Sequence, residues 1–182
     1  MRPANMLGVL NSSTLLIILS VAIMMVMSVR GIDLSVAQVA DAAGVIAAML
    51  ILSKQPVWVA VLSAVGFGVL VGLINGTLMA YLGVPAIIGS LGMMFVVRSF
   101  ELMLTSGAQP QILFTLAPKL TRDLFFLGTG SLGPVPMLIV ICAVLMVFMY
   151  FVKERSVLGR HMNAIQGNVR TAFLTGVNIR RV

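Results

Sequence analysis

The chain has 182 residues, of which 60% are hydrophobic and 9% are charged. Soluble domains carry about 25% charged residues and disordered chains have low hydrophobicity, so the composition excludes both classes. A membrane-spanning helix needs about 20 residues, and we therefore expect an all-α integral membrane protein with about five transmembrane helices.

Five apolar segments are predicted to cross the membrane. The first runs without a charge as far as Arg30 and has no small-residue cleavage site, so we interpret it as a membrane helix rather than a signal peptide. Asp33 and Ser35 follow, and we expect one of them to cap the second span by accepting hydrogen bonds from its free N–H groups. Polar turns with Gly or Pro separate the later segments. The predicted spans lie near 12–29, 36–52, 57–82, 85–104 and 135–152.

The charge pattern predicts an orientation for these spans. Residues 153–182 hold six basic residues and one acidic residue, which is +5 of the total net charge of +7. Basic segments beside a span lie in the cytoplasm, so we expect a cytoplasmic tail and a periplasmic loop at 105–134, with an interfacial helix around 116–126. Nucleic acid is not an expected partner, because Phe173 is the tail's single aromatic residue for base stacking. Five spans then place the N-terminus outside, which suggests that a first helix is missing.

Polar side chains inside the predicted spans are candidates for a solute pathway. Asp41 lies in the second span with Gln38 one turn before it, and either a water-filled cavity or the membrane interface would accommodate the carboxylate. Arg98 and Glu101 are spaced to pair on one helix face. Their pair either contributes to an outer gate or is a local ion pair whose Arg98 reaches the outer surface.

The third span carries a ladder of small residues at four-residue intervals, Gly68, Gly72 and Gly76. Glycines on one helix face let a neighbouring backbone approach closely, and this favours helix packing over a pore lining. Asn75 adjoins the same face and either bonds a neighbouring helix or contacts a polar solute.

The sequence contains no motif for covalent chemistry. Cys142 and His161 are the only residues of their types, and there is no phosphate-binding loop, so no metal, no cofactor and no enzymatic activity is expected. The sequence of the tail instead predicts one short basic helix, at 169–174, between two Gly-marked breaks. This helix would dock against another protein or lie on an anionic lipid surface.

Several segments resemble the membrane permeases of bacterial ABC importers for ribose and related simple sugars. They are Gly-Ile-Asp-Leu-Ser-Val at 31–36, Gly-Leu-Ile-Asn-Gly at 72–76, Ala-Tyr-Leu-Gly-Val-Pro at 80–85, Leu-Gly-Met at 91–93, Gly-Arg-His at 159–161, Gly-Asn at 167–168 and Gly-Val-Asn-Ile-Arg-Arg-Val at 176–182. The resemblance runs in family order over nearly the whole chain.

The resemblance implies a multi-pass permease subunit of the bacterial inner membrane, with part of the ABC importer permease fold. Its implied partners are an ABC ATPase subunit that hydrolyses ATP, a second permease copy, a periplasmic sugar-binding protein and the lipid bilayer. The tail would be the segment that couples to the ATPase. The implied coupling residues are Gly159, Arg160, Asn163, Gly167, Asn168, Ala172 and Gly176.

The chain also departs from the family pattern. Arg30 and Ala37 stand where the family usually has glycine, and Gln38 and Asp41 replace small or apolar residues. Family members begin with another helix and continue past the tail, so this chain resembles a permease truncated at both ends. The alternative function is therefore a non-transporting permease fragment without a complete pathway.

Overall fold

The computed structural model describes residues 3–107 and 125–179, and nearly all regular structure there is helical. The long helices are α1 (Pro3–Met27), α2 (Val36–Leu52), α3 (Val57–Ala80), α4 (Ala86–Thr105) and α5 (Met137–Tyr150), and the tail forms α6 (Val157–Gly167) and α7 (Val169–Leu174). A π-helical turn, Phe151–Arg155, follows α5, and residues 125–129 are helical. An antiparallel hairpin pairs β1 (Ser131–Leu132) with β2 (Val135–Pro136). The expectation of an all-α membrane protein is confirmed.

Four helical stretches in the described residues are long and apolar enough to cross a membrane. They are Gly8–Met27, Val57–Ala80, Ala86–Thr105 and Met137–Arg155, while Val36–Leu52 is a shorter apolar helix. The last stretch continues past Tyr150 because the π-helical turn extends α5 into the basic tail. The interfacial helix expected around 116–126 lies mostly outside the described residues.

Several helices end in the same backbone motif, in which one residue adopts a left-handed conformation. In α1, Arg30 has φ +61°, and the N–H of Gly31 donates to the carbonyl of Val26 over 3.1 Å. Lys54 has the same φ after α2. This arrangement satisfies carbonyls at a helix end that otherwise have no partner. Arg30 and Lys54 lie in the turns that the sequence predicts after the first and the second span.

The start of α2 differs from the expectation. Asp33 Oδ1 accepts from the N–H and the hydroxyl of Ser35, over 2.8 and 2.6 Å, and Ser35 makes no side-chain cap to the helix. The predicted capping of the helix N–H groups by Asp33 or Ser35 is therefore wrong. Ser35 occupies the N-cap position, but its backbone is helical, with φ −84° and ψ −15°, rather than extended as in a capping residue, and its hydroxyl donates to Asp33 instead.

The chain divides into two compact units. One comprises Met1–Ile32 and Phe126–Val182, and in it α1 packs along α5 and the tail helices pack on each other. The other is Asp33–Phe125, where α2, α3 and α4 form a three-helix bundle. Its buried core consists of Ala42, Val71, Met93 and Val97. The division at residue 152 into membrane and cytoplasmic parts stays a prediction.

Candidate functional site

A polar cluster joins α2 and α4 inside the three-helix bundle. Its centre is Glu101, whose side chain is fully buried. Gln38 Nε2 donates to Glu101 Oε2 over 2.5 Å, and Arg98 Nη1 lies 3.3 Å from both carboxylate oxygens. Arg98 Nη1 also lies 3.9 Å from Asp41 Oδ2. The predicted i, i+3 pair of Arg98 and Glu101 is thus confirmed, and it belongs to a four-residue cluster that we call the Glu101 cluster.

The Glu101 cluster lies level with the middle of α3. The ring of Phe100, between Arg98 and Glu101 in the sequence, stacks on Phe67 with ring centroids 5.7 Å apart. Phe67 is near the middle of the 24-residue α3, about 15 Å from its first residue and about 20 Å from its last at 1.5 Å per residue. On its own helix, Glu101 precedes the last residue of α4 by four residues, which is about 6 Å, so the cluster lies about one turn inside that span. Charged side chains within a membrane span are costly and are typical of solute or ion pathways.

The cluster presents both donors and acceptors. One guanidinium faces two carboxylates, so the formal charge of Asp41, Arg98 and Glu101 together is −1. Glu101 is inaccessible, but the side chains of Arg98 and Asp41 are 43% and 58% exposed. An open carboxylate beside an open guanidinium can bond a neutral polyhydroxyl compound, since hydroxyls both donate and accept. The surplus negative charge disfavours an anionic solute.

Asn75, the fifth pathway candidate, lies apart from the cluster. It is 3% exposed and faces α4 near the α3–α4 turn, where its Oδ1 lies 3.8 Å from the place that a Cβ on Gly89 would occupy. This buried oxygen accepts no hydrogen bond in the described part of the chain. A buried amide oxygen without a donor costs free energy, so Asn75 retains capacity to accept a bond from a solute or another helix.

The glycine ladder has no close neighbour among the described residues. A Cβ placed on Gly68, Gly72 or Gly76 would meet nothing within 4 Å. Leu73, on the same helix, is 66% exposed. The close packing predicted for the ladder is therefore not made within the described ranges 3–107 and 125–179. Packing of this face on another helix stays a prediction.

The first coupling candidate in the tail, Gly159, lies at a backbone contact. Ser156 caps α6 by accepting from the N–H of Gly159 over 3.0 Å, and this folds the start of α6 back onto the π-helical turn. A Cβ on Gly159 would overlap the carbonyl of Lys153. Glycine is thus required here by a close approach of two backbone segments. Arg160 follows it with its side chain exposed.

Three more coupling candidates in the tail, Asn168, Ala172 and Gly176, have structural roles at α7 and its two ends. Asn168 caps α7, because its Oδ1 accepts from the N–H groups of Arg170 and Thr171 over 2.9 and 3.1 Å. Ala172 is 2% exposed, and Gly176 has φ +88° after the helix ends. These residues fix the shape of the tail. Phe173 and Leu174 are left 65% and 76% exposed beside them.

Sequence reasoning missed a set of contacts between the tail and the end of α1. Arg30 donates to the carbonyls of Gln166 and Gly167, and Lys153 Nζ donates to Ser28 Oγ and to Asn163 Oδ1. The positions of Asn163 and Gly167, both coupling candidates, are therefore tied to α1. Arg30, where the resemblance leads one to expect glycine, was the one signal available in the sequence.

Comparison with protein families supports the resemblance found in the sequence. Residues 5–182 match the family described as branched-chain amino acid transport system / permease component. The comparison with solved structures finds no match.

Curated relatives match along almost the whole chain. The L-arabinose ABC transporter permease protein of Azospirillum brasilense is 32% identical over 100% of this chain and 52% of its own length. The galactofuranose transporter permease protein of Escherichia coli is 30% identical over 96% and 49%. The ribose import permease protein of Haemophilus influenzae is 28% identical over 98% and 54%. The chain spans about half the length of the curated relatives it matches.

Proposed function

Because this chain belongs to the family of branched-chain amino acid transport system permease components, we propose that it acts as a permease subunit of an ATP-driven importer and carries a simple, ribose-like sugar across the bacterial inner membrane. The observation that carries the proposal is the match, along 96% or more of the chain, to permeases whose names specify galactofuranose, arabinose and ribose. The subunit itself makes and breaks no covalent bond.

The Glu101 cluster supports a sugar as the solute. The side chains of Asp41 and Arg98 are 58% and 43% exposed, and together they offer an acceptor and several donors. A neutral sugar hydroxyl uses both kinds of group, since it donates and accepts. Asn75 Oδ1 adds one more acceptor, near the C-terminal end of α3.

The tail supports an ATPase partner. Gly159, Asn168 and Ala172 hold α6 and α7 in a fixed shape that leaves Phe173 and Leu174 exposed among basic residues. We assign docking of a separate ABC ATPase subunit to this surface, on the cytoplasmic side. A second permease copy and a periplasmic sugar-binding protein complete the proposed importer.

Site-directed cross-linking tests the ATPase partner. A photoreactive phenylalanine analogue at Phe173 should capture a protein whose peptides include an ATP-binding loop, identified by mass spectrometry. The matched control is the same analogue at Phe148, an equally exposed aromatic residue on the apolar α5. Equal capture at both positions, or capture of no ATPase at Phe173, would contradict the docking assignment.

Uptake measurements test the solute. Cells lacking their own sugar permeases would express the chain with the captured ATPase and the sugar-binding protein of the same importer, and would receive radiolabelled ribose, arabinose, galactose or leucine. We expect uptake of a sugar and not of leucine, with a raised KM for Asp41→Asn because the accessible carboxylate is lost. Leucine uptake would overturn the solute class. Absence of all uptake, with the ATPase still captured, would favour the non-transporting fragment instead.

A further inference from the structure

We infer that Arg30 and Lys153 are positioning residues that fasten α6 to the end of α1, so that both helices move as one body when the tail is displaced. The inference rests on the proposed function for its consequence, the transfer of ATPase motion into the membrane helices. The fastening itself rests on contacts within one compact unit of the chain.

The Arg30 contact closes the C-terminal end of α6. Arg30 Nε and Nη2 donate to the carbonyl of Gln166 over 3.2 and 3.1 Å, and Nη2 donates to the carbonyl of Gly167 over 3.0 Å. Carbonyls at a helix end have no partner within the helix and carry its partial negative charge. A guanidinium satisfies them with charge-assisted bonds of defined direction. Arg30 is therefore a cap that one helix supplies to another.

The backbone at Arg30 points to a role for its side chain. Arg30 has φ +61°, a conformation that glycine adopts without strain and other residues adopt at a cost. The motif that ends α1 needs the conformation but not the side chain. The guanidinium bonds to Gln166 and Gly167 supply the compensating interaction that glycine would lack.

Lys153 provides a second point of attachment. Its Nζ donates to Ser28 Oγ over 2.6 Å and to Asn163 Oδ1 over 3.0 Å. Ser28 is 2% exposed and donates in turn to the carbonyl of Met24 over 2.9 Å, so Lys153 is connected to the backbone of α1.

The two attachments lie along α6. Asn163 precedes Gln166 by three residues, which is about 4.5 Å along the axis. Two contacts separated along a helix restrain both its position and its direction. A force that displaces α6 is therefore transmitted to α1 as well as to α5, the helix to which α6 is joined through the π-helical turn.

Thiol labelling tests the fastening without reference to transport. Met162, 5% exposed on α6, would be changed to Cys in a Cys142→Ala chain held in nanodiscs, and labelling by a maleimide measures how often α6 detaches. Arg30→Gly keeps the left-handed backbone and removes the guanidinium, and Lys153→Met removes the ammonium. We expect each to raise the labelling rate about fivefold or more, and Arg30→Lys to raise it less.

The matched control is Lys54→Gly, because Lys54 has the same φ of +61° after another helix. Labelling of Met162→Cys should stay at the rate of the intact chain in this variant. An unchanged rate in both Arg30→Gly and Lys153→Met would overturn the fastening. So would an equal rise in Lys54→Gly, since the effect would then be one of glycine in general.

A second readout tests transmission. A fluorescent label on α1, attached through Ser20→Cys in the same Cys142→Ala background, reports movement of that helix when the ATPase and ATP are added. We expect the fluorescence of the label to change in the chain that carries only Ser20→Cys and Cys142→Ala. Arg30→Gly and Lys153→Met should still be cross-linked to the ATPase at Phe173 but lose the response, and Arg30→Lys should restore part of it.

A full response in Arg30→Gly, with the ATPase retained, would overturn the transmission. If the otherwise unchanged chain captures no ATPase, the proposed function fails, and thiol labelling alone still decides whether the fastening exists.

Discussion

Glu101 lies at the point where the two carboxylates, the guanidinium and the amide of the cluster meet. It is the one carboxylate among the described residues with a fully buried side chain. Arg98, on the same helix, offsets its charge, and Gln38 on α2 donates a hydrogen bond that orients it. Loss of the carboxylate would leave the partly buried Gln38 amide without its acceptor, while Arg98, whose side chain is 43% exposed, would keep Asp41 and water as partners.

We therefore predict that Glu101→Ala destabilises the chain by about 1–3 kcal/mol, the cost of leaving a polar group without its partner. Glu101→Gln should cost less, because its amide still bonds Gln38 and Asp41 still faces Arg98. Unfolding of the purified chain in mixed micelles of increasing denaturing detergent measures both. Glu154→Ala, at an exposed glutamate in the π-helical turn, is the control and should behave like the unchanged chain. Equal stability of Glu101→Ala and Glu154→Ala would contradict the role of the cluster.

The spacing of Arg98 and Glu101 on one helix was enough to predict their pair. The contributions of Gln38 and Asp41 were not predictable as contacts, because 63 residues separate Gln38 from Glu101 and only the packing of α2 on α4 brings them together. The unpaired oxygen of Asn75 is likewise a product of tertiary packing. Periodicity along one helix carries no information about which residue of another helix lies opposite.

At the scale of helices, the tail depends on its caps. Asn168 ends α6 and begins α7, and its side chain bonds two N–H groups that have no partner within α7. A six-residue helix has too few internal hydrogen bonds to be stable without such a cap. Asn168 is thus needed for the fold of α7, independently of any contact with a partner.

We predict that Asn168→Ala destabilises α7 by about 1 kcal/mol, which is about a fivefold change in its opening equilibrium. Hydrogen exchange of the peptide 169–174, measured by mass spectrometry, should accelerate by that factor. Asn168→Ser restores a side-chain acceptor and should exchange nearly as slowly as the unchanged chain. An Asn168→Ala chain that exchanges at the original rate would show that the cap is dispensable.

The predicted first span begins near residue 12, whereas α1 begins at Pro3. The polar turns after α1, α2 and α3 fall where Gly, Pro and polar residues interrupt the apolar runs. The π-helical turn after α5 was not predicted, since its residues, Phe151–Arg155, look like an ordinary continuation of the helix into a basic segment. α6 folds back onto this turn after Ser156, whose side chain accepts from the N–H of Gly159.

For the whole molecule, the charge distribution predicts one orientation. Residues 153–182 carry +5 and the first 152 residues carry +2. Lys153 and Arg155 adjoin α5 directly, within the range where basic residues determine which side of the membrane a segment occupies. In a soluble protein, this excess of basic residues would suggest a nucleic-acid partner. Beside a membrane span, it predicts that the tail lies in the cytoplasm.

We predict that a green fluorescent protein fused after Val182 is fluorescent and that alkaline phosphatase fused there is inactive, because the first matures in the cytoplasm and the second in the periplasm. Fusions in the loop after Ser106 should give the opposite pair of results. An active phosphatase at the C-terminus would reverse the proposed orientation and exclude ATPase docking on the tail.

The division into compact units was the least predictable property of the whole molecule. The sequence separates a membrane part from a tail at residue 152, whereas the contacts group the first helix with the C-terminal third. Arg30 and Lys153 connect those distant segments through side chains. Composition indicates where a segment lies relative to the membrane, but partners distant in the chain are set by packing.

The overlap that a side chain on Gly159 would make with the Lys153 carbonyl has a genetic consequence. Every single-base missense change of a glycine codon introduces a residue with a Cβ atom, so no such change is compatible with this contact. In a library of all codons, position 159 should retain only synonymous variants after selection for folded protein. Position 72, where a Cβ meets nothing within 4 Å, should retain alanine and serine in the same selection.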